Sequence, residues 1–80
     1  MKARVTVTLK AGVLDPQGQA IENSLKSLGL GALTGMRQGK VFDFSVDATD
    51  EAQAHSITRA ACEKLLANTV IENYSIEIIH

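Results

Sequence analysis

Three runs of this chain alternate residue by residue between apolar and polar side chains, and the stretches between them repeat at helical spacing instead. In residues 2–10, Ala3, Val5, Val7 and Leu9 face one way, while Lys2, Arg4, Thr6, Thr8 and Lys10 face the other. Period two with β-branched residues marks a half-buried strand. Phe42, Phe44 and Val46 alternate in the same way with Asp43, Ser45 and Asp47. So do Tyr74, Ile76 and Ile78 with Asn73, Ser75 and Glu77, in a last strand over about residues 71–79.

The helices carry start signals. Asp15 is suited to cap a free N–H, and Pro16 suits the first helical position, where a missing N–H costs nothing. Ile21, Leu25 and Leu28 follow as a stripe, and Gly29 is a natural stop that accepts positive φ. Helix one is therefore predicted over 16–28. Thr49 and Asp50 are good caps for a second helix, and Asp50 with Gln53 resembles a capping box. Ala54, Ile57, Ala61 and Leu65 are predicted to line its inner face, with Thr58, Cys62 and Leu66 beside them. Asn68 suits a left-handed stop, giving a helix over 50–67.

Residues 29–40 hold Gly29, Gly31, Gly35 and Gly39. Leu33 and Met36 are three apart, against strict alternation. The expectation is a weak, bulged strand over 32–38, a turn at Gln38-Gly39-Lys40, and hairpin pairing with the Phe42–Val46 strand. The resulting βαββαβ order predicts an α+β, ferredoxin-like sandwich. Its four-stranded antiparallel sheet has order 4-1-3-2 and carries both helices on one face. Its open face sets Lys2, Arg4 and Lys10 against Asp43 and Asp47, a favourable cross-strand pattern.

Eighty residues predict a single domain, spanning 1–80. Such a chain buries only about 60–65% of its extended surface, so its core is small and self-association is expected. Eight basic and nine acidic residues give a net charge of −1 with no basic block, which argues against nucleic-acid binding. No apolar run reaches the ~20 residues of a membrane span. Opening directly on a strand predicts no secretory leader, and the lone Cys62 suits a reducing, cytoplasmic setting.

No catalytic constellation is visible, and none of the sites expected below is catalytic. Cys62 reads as a small buried hydrophobe. His55 lies two helical turns from it, roughly 10 Å along the axis and beyond hydrogen-bond reach. One Cys and two His, with His80 at the chain end, have no metal-site spacing. The glycines follow a helix and lead into a strand, the reverse of a phosphate-binding loop. Arg37 and Lys40 flank Gly39 near a loop tip, where partner contacts concentrate. An RNA-recognition sheet needs aromatics on its open face, whereas Phe42 and Phe44 are predicted to face the helices.

Three stretches carry a family resemblance: Val13-Leu14-Asp15-Pro16-Gln17-Gly18, Arg37-Gln38-Gly39-Lys40, and the long run from Cys62 through Asn68 to Tyr74. In these the chain resembles the PurS family, the small subunit of bacterial and archaeal phosphoribosylformylglycinamidine synthase. The resemblance implies a non-catalytic bridging subunit of purine biosynthesis. It implies partners: a glutaminase subunit that releases ammonia, and a synthetase subunit that uses it with ATP and Mg. It implies no cofactor in this chain, no nucleic acid and no membrane. It also implies self-association as a homodimer or homotetramer. Expected partner-contact residues are Asp15, Pro16, Gln17, Gly18, Arg37, Gly39, Lys40 and Asn68. Tyr74, Ile76 and Ile78, on an edge strand, are the expected self-association residues.

Two rivals share the general fold. An ACT-like regulatory module binds small ligands, but its Gly-rich loop after strand one is reduced here to Gly12. An acylphosphatase needs an Arg in the first loop, and none lies between Gly12 and Gly18.

Overall fold

Val5 and Val7 are sealed from solvent because their strand, β1 (Lys2–Leu9), runs through the middle of the sheet. The computed structural model describes residues 1–79; His80, expected as a chain end, lies outside them. β2 (Gly39–Ser45) and β3 (Glu72–Ile79) flank β1, both antiparallel to it, in the order β2-β1-β3. Val5 pairs with Phe42 on one side and Ile76 on the other. The alternation holds in all three strands. Ala3, Val5 and Val7 are buried, and Phe42, Phe44, Tyr74, Ile76 and Ile78 are half-buried. On the opposite face Arg4 Nε donates to Asp43 Oδ1 at 2.8 Å, as charge pairing predicted. That pair is half-exposed and adds little stability.

The expected strand over 32–38 does not form, so the sheet has three strands among the described residues and not four. The backbone there bonds to side chains instead. Met36 N–H donates to Glu22 Oε1 at 2.8 Å, and Gln38 N–H to Asp15 Oδ2 at 2.6 Å. Local acceptors of this kind compete with a strand ladder. The expected hairpin is lost with the strand. Gly39 and Lys40, predicted as a turn, already pair with Thr8 and Val7 of β1.

The second departure is the placement of α1 (Pro16–Ser27). Its caps follow expectation. Asp15 Oδ1 accepts from Gly18 N–H at 2.9 Å, and Pro16 sits in the first turn. Leu30 N–H donates to Leu25 O and Gly29 N–H to Lys26 O, the paired bonds of a Schellman stop, with Gly29 at φ +84. Yet α1 makes at most marginal contact with any other element, so it does not cover the sheet as predicted. β1 spans about 27 Å and α1 about 18 Å. End to end they account for most of the 50 Å long axis. The radius of gyration is 16.0 Å, against about 12 Å for a compact chain of this length. α1 and the returning segment 28–38 thus form an arm standing off one end of the sheet.

α2 (Glu51–Ala61) covers the apolar face of the sheet and runs into a single π turn at Cys62–Leu66. Asp50 caps it, accepting from Gln53 N–H at 2.7 Å; Gln53 Oε1 reaches back to Thr49 N–H at 2.8 Å. The inner face differs from the one predicted. Ala54, Thr58 and Cys62 are each 0% exposed, while Ile57 is 45% and Leu65 83% exposed. Three short side chains at i, i+4, i+8 let the helix approach the sheet closely, and the larger residues turn outward. Asn68 is not left-handed, since no residue other than glycine has positive φ among those described. It makes a side-chain turn instead, its Oδ1 accepting from Val70 N–H at 3.2 Å.

Candidate functional site

A cleft of about 330 Å³ opens where the arm joins the sheet. Val7 and Leu9 at the end of β1 form its floor. The start of α1, the entry to β2 and the entry to β3 are its walls. It brings together all three stretches singled out from the sequence: Asp15, Pro16 and Gln17 on one wall, Gly39 and Lys40 on another, and Ile71 and Glu72 of the Cys62–Tyr74 run on the third.

Asp15 holds the two walls together. One carboxylate oxygen accepts from Gly18 N–H and the other from Gln38 N–H, so a single side chain ties the start of α1 to the entry of β2. These amides, Gln38 first and Gly18 second, hold the carboxyl below its ordinary value of 3.8, and the Arg37 charge adds to this. The group is ionised at neutral pH and serves as a clamp, not a proton donor. Gly18 is buried beside it because nothing larger fits: a Cβ there would lie 2.6 Å from Met36 O. Gly39 is confined likewise, 2.8 Å from Val7 O. Of the expected contact residues, Asp15 and Gly18 are therefore internal parts of the cleft, while Pro16, Gln17 and Lys40 are exposed on its rim.

Arg37 lies outside the cleft, on an adjoining hollow of about 270 Å³, and its Nη2 donates to Lys10 O at 3.1 Å. Asn68 is also outside, but linked to it through Glu72. Glu72 Oε1 accepts from Asn68 N–H at 2.7 Å, and Oε2 lies 3.7 Å from Lys40 Nζ. Glu72 lies in the third stretch but was not among the expected contact residues. Its signal was its parity: it shares the inward register of Tyr74, Ile76 and Ile78. Tyr74, Ile76 and Ile78 lie toward the helix-covered face, so the exposed part of β3 is its backbone edge. Tyr74 OH donates to Glu63 Oε1 at 3.1 Å, and burial, followed by that bond, pushes its pKa up.

The described residues lining the cleft include no Ser, Thr, Cys, His or Tyr, and its charged side chains are Asp15, Lys40 and Glu72. Cys62 lies in the core, and burial first, then Glu63, pushes its thiol up, toward the unreactive protonated form. Among the described residues no group of three metal-ligating side chains converges, and no helix is long and apolar enough to cross a membrane.

Asp15 should leave a mark on acid stability. Its lowered pKa contributes stability that is fully present above the unfolded carboxyl value and lost as pH falls below 3.8. Asp15→Asn is expected to flatten the drop in Tm between neutral pH and about pH 3, measured by circular dichroism at several pH values. Asp43→Asn, on the exposed sheet face, is the comparison, with the smaller change. An acid limb unchanged by Asp15→Asn would contradict the clamp.

The family model for PurS, described as phosphoribosylformylglycinamidine (FGAM) synthase, matches residues 2–80. The phosphoribosylformylglycinamidine synthase subunit PurS of Synechocystis is 45% identical over 75 residues, covering 94% of this chain and 75% of that protein. The structure of Bacillus subtilis PurS superposes with a TM-score of 0.89 at 39% identity, covering 99% of this chain and 98% of that one. A chain in the structure of PurLQS from Thermotoga maritima superposes with a TM-score of 0.87 at 32% identity, covering 98% and 95%. These matches favour the resemblance seen in the sequence over the ACT-like module.

Proposed function

This chain belongs to the PurS family, and from that premise we propose that it is the non-catalytic bridging subunit of a phosphoribosylformylglycinamidine synthase. In this reading it joins a glutaminase subunit to a synthetase subunit that uses ATP and Mg, and the chain itself holds no cofactor. The observation that carries the reading is the near full-length likeness to a chain in the PurLQS structure. The setting is the cytoplasm, which a single unpaired cysteine suits.

The physical task is transfer of ammonia. Released into water at neutral pH, ammonia is mostly protonated and cannot attack. Holding two active sites together excludes water and shortens the path. The subunit supplies geometry and no acid–base group. We assign the exposed rim of the cleft, Pro16, Gln17 and Lys40, with Arg37 and Asn68 nearby, to contact with the larger subunits. Asp15 and Gly18 shape that surface from within, and Gly39 lies exposed on it. The open edge of β3, the strand of Tyr74, Ile76 and Ile78, is assigned to pairing with another copy.

The test is reconstitution. With all three subunits, glutamine-dependent turnover is expected. Omitting this chain should bring it near background while turnover with added ammonia persists in the synthetase subunit. Arg37→Glu should weaken co-purification with the larger subunits. Equal glutamine-dependent turnover with and without this chain would overturn the reading.

A further inference from the structure

Lys40 and Glu72 break the alternation of their strands. Lys40 pairs with Val7 and Glu72 with Leu9, so both stand on the inward side of the sheet, in register with Phe42, Phe44, Tyr74, Ile76 and Ile78. Their strands flank β1 and so lie about 10 Å apart. The two long side chains cross that gap at the cleft, Glu72 Oε2 lying 3.7 Å from Lys40 Nζ. The Lys40 side chain is 54% exposed, and a pair so exposed adds little stability. Residues that break a local rule concentrate where a protein functions.

Glu72 also closes the turn before it. Its Oε1 accepts from Asn68 N–H at 2.7 Å, and its own N–H donates to Asn68 O at 2.7 Å. Asn68 Oδ1 accepts from Val70 N–H at 3.2 Å, so the turn is tied at both ends, and it carries Val70, 80% exposed. The Glu72 side chain is only 14% exposed and offers a partner little surface of its own. What it holds, Lys40 and Asn68, are two of the residues assigned above to contact. We propose that Glu72 is a positioning residue of that surface: one carboxylate fixes the Lys40 ammonium on the cleft rim and the Asn68 turn beside it. A rim ordered before docking loses less freedom on docking, and for one long side chain the gain is about three- to tenfold in affinity. The inference rests on the bridging reading for its partner, the larger subunits, and adds to it the residue that prepares the contact.

Glu72→Gln separates the two ties. Its amide oxygen still accepts from Asn68 N–H, but the charge facing Lys40 is gone. The full chain should keep its circular dichroism spectrum and melt within a few degrees of the parent. Carbon relaxation at Lys40 Cε should report a more mobile side chain, with amide exchange at Asn68 and Val70 unchanged. Glu72→Ala should loosen both. In the reconstituted complex, the concentration of this chain that gives half-maximal glutamine-dependent turnover should rise about three- to tenfold with Glu72→Gln, with turnover at saturation moving less. In a Lys40→Met background the same substitution should change it by less than about twofold. Lys40 mobility unchanged by Glu72→Gln overturns the inference, and so does an unchanged half-maximal concentration. An equal rise in the Lys40→Met background also overturns it, because Glu72 then acts without Lys40. A parent chain that supports no glutamine-dependent turnover overturns the bridging reading instead, and Lys40 mobility in the isolated chain still decides the positioning role.

Discussion

Gly18→Val is expected to loosen the base of the arm and lower the Tm by about 5–15 °C, the range that follows from about 1–3 kcal/mol of overpacking in a domain this small. The first atom of any side chain at Gly18 would lie 2.6 Å from Met36 O and 2.9 Å from Asp15 Oδ2. Met36 O is backbone, so relief requires the returning segment to shift. That shift pulls Gln38 N–H off the carboxylate it meets at 2.6 Å. Amide exchange should then quicken at Met36 and Gln38 while the β1–β3 ladder keeps its protection. A melting curve and exchange pattern matching the parent would show that the segment gives way freely. The substitution should also weaken capture by the larger subunits, because the cleft walls part.

Thr58→Val should act in the opposite direction. Thr58 is 0% exposed, and its Oγ1 has no hydrogen-bond partner among the described residues. Valine keeps the shape and the branching at Cβ, so packing and helix propensity change little. What changes is a buried hydroxyl that lost its water without gaining a partner, at a cost of about 1–3 kcal/mol. Removing it is expected to raise the Tm by about 5–15 °C at fixed protein concentration. A lower Tm would mean that the hydroxyl has a partner in the assembled protein.

The strands were legible because their alternation is tied to one buried face, and a shift of one residue would have put Val5 and Val7 in water. The caps were legible because Asp15-Pro16 and Asp50 act through atoms close in sequence. The returning segment was not: its amides are satisfied by Glu22 and Asp15, side chains 14 and 23 residues away, and no local pattern announces that. Nor was the placement of α1. The stripe of Ile21, Leu25 and Leu28 says that a face must be covered, but the same stripe serves whether the cover is this chain's own sheet or another surface. The inner face of α2 was read correctly at Ala54 but misjudged beyond it, because hydrophobicity favoured Ile57 and Leu65, whereas close approach favoured Thr58 and Cys62. At the site, the Asp15–Gly18 and Gly39–Lys40 stretches did converge. Glu72 escaped notice because a charged residue at a strand entry reads as solvated until its parity is counted.

The central strand precedes both of its neighbours in the sequence. Lys2 finds its β3 neighbour only at Ile79, and Leu9 finds Glu72. During translation β1 therefore waits, with one flank at most occupied, until residues 72–79 emerge. Pairing over such separations is slow, and exposed strands meanwhile invite wrong partners. The polar side chains at Lys2, Arg4, Thr6 and Thr8 keep one surface of that waiting segment wet. A ribosome stalled before residue 72 would hold a chain whose sheet cannot yet close.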